Sequence, residues 1–436
     1  MQFDADVRSL LTIRRVSGDF MRTKISSLSI LAVVGLLLAG PCRLRGQSVL
    51  PGIDILRERG FDILKGKRIG LVTNPTGVDA HLISTIDILS KAPGVRLVAL
   101  FGPEHGVRGD VSAGQAIASS TDPVTGVPVY SLYGRTKKPT PEMLRDVDVL
   151  VYDIQDIGVR SYTYITTLGL CMEAAAAKGI PFVVLDRPDP LGGTRIEGAV
   201  VKPGFLSPVS PYPIPYIYGL TPGELARYLN GEKLLTGGVA CSLVVVPLKG
   251  WTRSMLFSAT GLQWVPTSPH IPTADVALYY PATGILGELG TLSEGVGYTL
   301  PFRLVGATWI DADRLAAQLD SEHLPGVAFR PVTYRPFYGR DAQKELHGVQ
   351  LYILNPALCP LVSLQFRIME AVHAQAPDRT IFGADSTRWQ AFDRVIGESR
   401  IREAFTRRYA TEDILPLLDD GVAEFKAKAV RYYLYR

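Results

Sequence analysis

Three short runs constrain this chain more than any other feature: residues 68–74 (RIGLVTN), 148–154 (DVLVYDI) and 181–185 (PFVVL). Each is apolar at consecutive rather than alternate positions. A strand written that way buries both of its faces, as the inner strands of a parallel sheet do. Residues 96–101 (RLVALF) read the same way. Helical patterns stand between these runs. Ile83, Ile86 and Leu89 share one face of 82–91, and Leu168, Cys171, Met172 and Ala175 form the stripe of 164–178, which Gly179 ends. Strand alternating with helix predicts an α/β domain with a parallel sheet. Asn74, Glu104, Asp153 and Asp186 then fall just beyond the carboxyl ends of the strands, the edge where open α/β sheets bind ligands.

The remaining elements follow the same logic. Residues 48–61 read as an entry segment, 127–130 as a short strand, 140–146 as a one- or two-turn helix opened by Pro141, and 242–248 as a strand. Thr221 with Glu224 three residues on is a capping box that starts a helix over 221–229. Residues 251–273 are irregular and Pro-rich, which places a domain boundary there, with one domain over 48–265 and a second over 266–436. The second domain is expected to hold strands at 305–310, 327–334 and 348–354, a glycine-rich loop at 284–297, a helix at 361–373 and a mostly helical tail from 389.

The first 47 residues differ from the rest. Met21-Arg22-Thr23-Lys24 leads into an apolar run, 28–40, which has the build of a secretory signal. Met21 is therefore a candidate start. Pro41 separates Gly40 from Cys42 and argues against a lipid anchor there. This segment carries seven Arg/Lys against three Asp, which accounts for the whole formal charge of +4. The remainder is near neutral, so bulk charge gives no reason to expect a nucleic-acid partner. Cys171, Cys241 and Cys359 are far apart in apolar surroundings and read as buried thiols, not a disulfide framework.

Two strand–loop units concentrate the chemistry-bearing residues. GPEHGVRGD (102–110) follows the 96–101 strand, and QDIGVRSYTYI (155–165) follows the 148–154 strand. Glu104 and His105 lie between Pro103 and Gly106. A loop carboxylate held in that way can serve as a general acid, or it can pair with Arg108. Asp153 and Asp156 could orient a base, bind sugar hydroxyls, hold a metal or cap the next helix. Arg160 and Arg187 could grip an anionic substrate through the guanidinium fork, or pair with these aspartates. Tyr162 and Tyr164 could stack on a sugar ring or pack. Glu288 and Glu294 bring two carboxylates in the 284–297 loop, and His270 follows Ser268-Pro269. There is no HExxH, no GxSxG and no GxGxxG after the first strand. These absences argue against a zinc hydrolase, a serine esterase and a nicotinamide enzyme. Carboxylate chemistry of the glycosidase kind remains.

Longer motifs carry a resemblance. The segments GLVTNPTGVD (70–79), LFGPEHGVRGD (100–110), YDIQDIGVRSYTYITTL (152–168), LDRPDPLGG (185–193), TSPHIPT (267–273), LSEGVGYTLPF (292–302), HGVQLYI (347–353) and YYLY (432–435) resemble the NamZ-type exo-β-N-acetylmuramidases. The resemblance implies a Rossmann-like N-terminal domain, a smaller α+β C-terminal domain and a site in the cleft between them. It further implies an exported, periplasmic or secreted enzyme of cell-wall recycling, with no cofactor, no metal and no membrane insertion after signal cleavage. Such an enzyme would release N-acetylmuramic acid from the non-reducing end of a peptidoglycan-derived disaccharide or short glycan. Glu104 would be its general acid, with His105 and Asp153 positioning it. Asn74, Arg108, Asp156, Arg160, Tyr162, Tyr164, Arg187, His270, Glu288 and Glu294 would contact substrate, and the arginines would offer partners for the lactyl carboxylate. The chain departs from the family at 288–296, which lacks an Asn and an Arg, and at 217–221, which reads IYGLT where members carry RHGMT. Two alternatives follow: a paralogue acting on another amino sugar, and a non-catalytic periplasmic binding protein for cell-wall sugars.

Overall fold

The computed structural model describes residues 49–436 except 105 and 109–119. The secretory segment, Cys42, His105 and Asp110 lie outside the described residues. A seven-stranded sheet runs through the N-terminal half. Its strands are β1 (Arg68–Thr73), β2 (Arg96–Gly102), β3 (Ser120–Thr121), β4 (Pro128–Ser131), β5 (Val149–Asp153), β6 (Phe182–Leu185) and β7 (Leu243–Val246). Their spatial order is β3-β4-β2-β1-β5-β6-β7, parallel throughout except for β3.

The all-apolar runs explain this order. Every residue of β5 and β6 is buried, so neither face can be left to water. One face packs under the helix Tyr164–Lys178, with Leu168, Cys171 and Met172 against Leu150, Tyr152 and Val184. The other face packs Leu71, Val151 and Val183 with Ile53 and Leu56 of the helix Gly52–Glu58 and with Ile86 and Leu89 of the helix Thr85–Ser90. The chain moves outward from β1 through β2 to β4, then returns to the other side of β1 for β5, β6 and β7. That reversal is a topological switch point, and it opens a crevice beyond the carboxyl ends of β2, β1 and β5.

The C-terminal half is smaller and mixed. It has an antiparallel sheet of β8 (Leu304–Ala307), β9 (Val327–Tyr334) and β10 (Leu346–Ile353), in the order β8-β10-β9. Helices Val276–Thr283 and Leu361–Gln375 and the tail helices share its core. The architecture is thus the parallel α/β sheet that the strand and helix patterns predict, in the Rossmann-like arrangement with a smaller α+β domain that the resemblance implied.

Local signals held where they were strong. The capping box forms: the Thr221 side chain accepts from Glu224 N at 3.2 Å and Glu224 Oε2 accepts from Thr221 N at 3.2 Å, opening the helix Pro222–Gly231. Gly179 takes the left-handed conformation (φ 72°) at the end of its helix. The entry segment carries the helix Gly52–Glu58. Two expectations fail. Residues 140–146 make a run of turns instead of a helix, because only isolated bonds such as Leu144 N to Thr140 O (3.1 Å) form and no i→i−4 ladder follows. The 284–297 loop contains a helical turn, Leu286–Leu289, whose Leu286 and Leu289 enter the core.

Candidate active site

A cavity of about 190 Å³ lies at the crevice, lined by Glu104, Ser161, Tyr162, Thr163, Tyr164, Ser268, His270, Ile271, Tyr280 and Phe302. Glu104 comes from the turn after β2, closed by Gly106 N donating to Pro103 O at 3.1 Å. Residues 161–164 come from the loop after β5. The rest come from 268–302, so both halves of the chain supply walls.

The loop after β5 is aimed by its own buried bonds. Asp156 Oδ2 accepts from Gly158 N at 2.9 Å and from the Tyr218 hydroxyl. Gly158 needs its positive φ (76°), and a Cβ there would collide with the Asp189 carboxylate. Val159 bridges Ile217, and Arg160 N donates to Tyr216 O at 2.8 Å. The strapped backbone then turns Ser161, Tyr162, Thr163 and Tyr164 toward the cavity.

Hydroxyls and aromatic edges tie the two halves together. Ser161 Oγ lies 3.2 Å from Tyr280 Oη and donates to Tyr216 Oη at 3.2 Å. The Tyr162 hydroxyl donates to Thr267 Oγ1 at 2.8 Å, and that of Tyr164 to Thr267 O. Tyr162 meets Tyr164 and Tyr280 edge-on, with ring centroids 5.0 and 5.9 Å apart, and Tyr280 meets Phe302 at 4.9 Å. Burial pushes the Tyr162, Tyr164 and Tyr280 hydroxyls well above the usual tyrosine range, so all three stay protonated donors. His270 Nε2 is 3.1 Å from the Tyr338 hydroxyl, with the two rings stacked. Thr163 Oγ1 donates to Glu104 Oε2 at 3.4 Å.

Of the predicted site residues, the structure brings together Glu104, Tyr162, Tyr164 and His270. Others stand outside the cavity for identifiable reasons. Arg160 is fully buried, and its guanidinium donates to the carbonyls of Ala199, Ile214, Val395 and Ile396 at 2.7–2.9 Å; it is a strut between segments, not an anion grip. Burial lowers its pKa to about 9. Arg187 pairs with Asp153 and also donates to Val78 O at 2.7 Å. Asp153 has both oxygens occupied, by Arg187 Nε and Thr85 Oγ1, each at 2.5 Å, and so does not position Glu104. Arg108 pairs with Asp122, not Glu104, and holds the Asp122 carboxyl down at about 2. Asn74 is buried below Tyr164, with its Oδ1 taken by Thr76 N and Oγ1.

Asp156 lies beneath the loop. Burial raises it to about 6. Neither Glu288 nor Glu294 lines the cavity: Glu288 lies near Tyr280 and Glu294 near Glu288, and burial raises both carboxyls, opposed by Arg388 and Arg340 respectively. Among the described lining residues there is therefore one carboxylate, Glu104, and no arginine. No group of three or more His, Cys, Asp or Glu among the described residues has a metal-binding arrangement. Ser161, Thr163, Ser268, Ile271, Tyr280 and Phe302 are lining residues that the sequence reading passed over. Ser161 and Thr163 stand inside the QDIGVRSYTYI loop, and Tyr280 lies on the helix Val276–Thr283, where nothing in the local sequence sets it apart from a packing residue.

Comparison with known proteins decides the family. The model for the N-terminal part of the exo-β-N-acetylmuramidase NamZ matches residues 69–275, and that for the C-terminal part matches 278–435. The chain belongs to the NamZ family. The peptidoglycan β-N-acetylmuramidase NamZ of Bacillus subtilis (strain 168) is 44% identical over 387 residues, 89% of this chain and 91% of that protein. Two DUF1343 family proteins of Bacteroides fragilis NCTC 9343 have crystal structures of the same fold. One has a TM-score of 0.86 at 54% identity and the other 0.70 at 26%; each match covers 89% of this chain and 99% of the other. NamZ membership makes the protein a glycoside hydrolase of the exo-β-N-acetylmuramidase type, an enzyme rather than a passive sugar binder.

Proposed function

We propose that this NamZ-family enzyme removes N-acetylmuramic acid from the non-reducing end of peptidoglycan disaccharides or short glycans, with Glu104 as general acid. The observation that carries the assignment is the placement of Glu104 in the cavity wall, within reach of Thr163 Oγ1 and beside Tyr162 and Tyr164. In this reading the protonated Glu104 carboxyl delivers its proton to the glycosidic oxygen as the bond to the anomeric carbon breaks. The tyrosine edges and the Tyr280–Phe302 pair offer apolar faces to the sugar ring, and Ser161, Ser268 and His270 offer polar contacts to its hydroxyl and acetamido groups.

Glycosidases that use two carboxylates place them about 5–5.5 Å apart for retention or about 6.5–9.5 Å apart for inversion. With Asp153 and Asp156 below the cavity, the group that attacks the anomeric carbon in this proposal is the substrate's own acetamido oxygen. Water then opens the resulting ring and restores the acetamide. The secretory build of residues 21–47 supports action outside the cytoplasm, after loss of the leader and without insertion into a membrane. Among the described residues no helix is long and apolar enough to cross one.

The test is a pair of chromogenic β-glycosides differing only in the lactyl ether, N-acetylmuramide and N-acetylglucosaminide. Release of phenol from the muramide alone supports the proposal. Preference for the glucosaminide would favour the paralogue reading, to which the altered 217–221 and 288–296 segments lend weight. Binding of the muramide, read as a thermal shift without release, would reject hydrolysis of this sugar.

A further inference from the structure

We infer that Tyr338 is a specificity-determining residue whose exposed ring face is the platform for the leaving-group sugar, the ring on the far side of the scissile bond. The assignment rests on the proposed seating of the terminal N-acetylmuramic acid in the cavity.

An exo-acting enzyme encloses one terminal sugar, and the rest of the glycan leaves through the open side of the site. The second ring therefore lies against whatever stands at the rim. The most exposed aromatic side chains among the described residues are Phe337, Tyr338 and Tyr352. Of these, Tyr338 touches the cavity wall. Its hydroxyl lies 3.1 Å from Nε2 of the lining residue His270, and the two rings stack at 19° with centroids 6.2 Å apart. His270 thus covers part of one ring face, yet the Tyr338 residue is still 53% exposed. The axial C–H groups of a pyranose ring make an apolar patch that packs on an aromatic face of this kind.

The ring is held in place before any substrate arrives. Residues 335–345 join β9 to β10 and are tied to the stretch that leads into the lining residue Phe302. Phe337 N donates to Gly297 O at 2.7 Å, and the Arg340 guanidinium donates to Leu292 O at 2.7 Å. Gln343 N donates to Pro336 O at 2.9 Å and closes the loop on itself. Gly297 has a φ of 93°, and a Cβ there would collide with Tyr338 O, so this glycine lets the two loops meet. The neighbouring Phe337 stacks on Tyr298, with centroids 5.7 Å apart at 14°, and is occupied within its own loop. Tyr338 therefore reaches the rim on a preformed support, and packing a sugar on it costs little further ordering.

The test compares two substrates by the release of N-acetylmuramic acid. One is the disaccharide of N-acetylmuramic acid linked to N-acetylglucosamine. The other is methyl β-N-acetylmuramide, which has the same bond and an alcohol leaving group but no second ring. The readout is the ratio of kcat/KM for the disaccharide to that for the methyl glycoside. Tyr338→Ala should lower this ratio about fivefold, mainly through a higher KM for the disaccharide. Tyr338→Phe keeps the ring and should hold the ratio within about twofold of wild type, with both variants melting as wild type does. An unchanged ratio in Tyr338→Ala, or a loss in Tyr338→Phe as large as in Tyr338→Ala, would overturn the inference. Wild-type enzyme that frees N-acetylmuramic acid from neither substrate would remove the proposed seating of that sugar and the inference with it. Wild-type enzyme that cleaves the disaccharide, beside a Tyr338→Ala variant indifferent to the second ring, would remove the inference alone.

Discussion

Arg187 Nε donates to Asp153 Oδ1 at 2.5 Å, and both side chains are almost wholly buried. The pair joins the ends of β5 and β6 beneath the crevice, and Arg187 reaches on to Val78 O in the loop after β1. It is a brace under the site, not a pair of substrate ligands. Arg187→Met strands a buried carboxylate and should cost about 3–5 kcal/mol of unfolding free energy, read from a urea titration. Enzyme that remains folded should keep its KM within about twofold; a selective rise in KM would make Arg187 a substrate ligand after all.

Arg160 makes a second prediction of the same kind. Four buried carbonyls, from Ala199, Ile214, Val395 and Ile396, depend on one guanidinium. Arg160→Met leaves all four without that donor, and Arg160→Lys cannot span them because an ammonium lacks the planar fork. Both variants should lose about 3 kcal/mol or more in denaturant unfolding. An Arg160→Lys protein as stable as wild type would contradict the strut.

Asp156 sets a pH dependence. Burial raises its carboxyl from an ordinary 3.8 to about 6, and burial pushes the neighbouring Asp189 upward as well. Asp156 Oδ1 and Asp189 Oδ2 have no hydrogen-bond partner among the described residues, which leaves room for a proton. The folded protein keeps protons there that the unfolded chain has released. This contribution to stability is complete below about pH 4 and is lost as pH rises through about 6. The Arg108–Asp122 pair has the opposite sign: its contribution is present above about pH 4 and fades as pH falls toward 2. Asp156→Asn should therefore lose less stability than wild type between pH 4.5 and 7.5, a difference on the order of 2 kcal/mol in urea titrations. Parallel pH curves would contradict the assignment.

The closing residues clasp the chain just beyond the carboxyl ends of β6 and β7. The Tyr435 hydroxyl donates to Asp186 Oδ2 at 2.5 Å and accepts from Leu248 N at 2.8 Å. Leu434 N donates to Glu224 Oε1 at 2.8 Å, and Arg253 stacks over Tyr433. Burial pushes Asp186 up to about 7, so loss of its tail partner exposes a group poised to ionise. Removing residues 432–436 should lower the melting temperature by several degrees and abolish activity only as far as it unfolds the protein. An unchanged melting temperature would show that the clasp holds nothing.

Much of the fold was legible because it is written locally. Consecutive apolar residues at 149–152 and 182–185, short and rich in valine, read as strands buried on both faces, and Thr221 with Glu224 can satisfy each other's backbone wherever the helix packs. The turns at 140–146 were misread because Pro141 suits both a first helical turn and a tight turn. The site was legible only in part. Glu104, Tyr162 and Tyr164 announced themselves as polar and aromatic residues beyond buried strands. The roles of Arg108, Arg160 and Arg187 depend on which partner lies across the fold, and a guanidinium in sequence looks the same beside a carbonyl, an aspartate or a ligand. Tyr280 and Phe302 reach the site only through the docking of the second half, which no short window of sequence records.

The central claim is that Glu104 delivers the proton, and the leaving-group dependence of Glu104→Gln tests it most directly. For the muramic-acid disaccharide, kcat/KM should fall at least about a hundredfold. For the 2,4-dinitrophenyl muramide it should stay within about tenfold of wild type, with folding and substrate binding intact. Wild-type turnover of the disaccharide, or an equal loss on both substrates, would contradict the account.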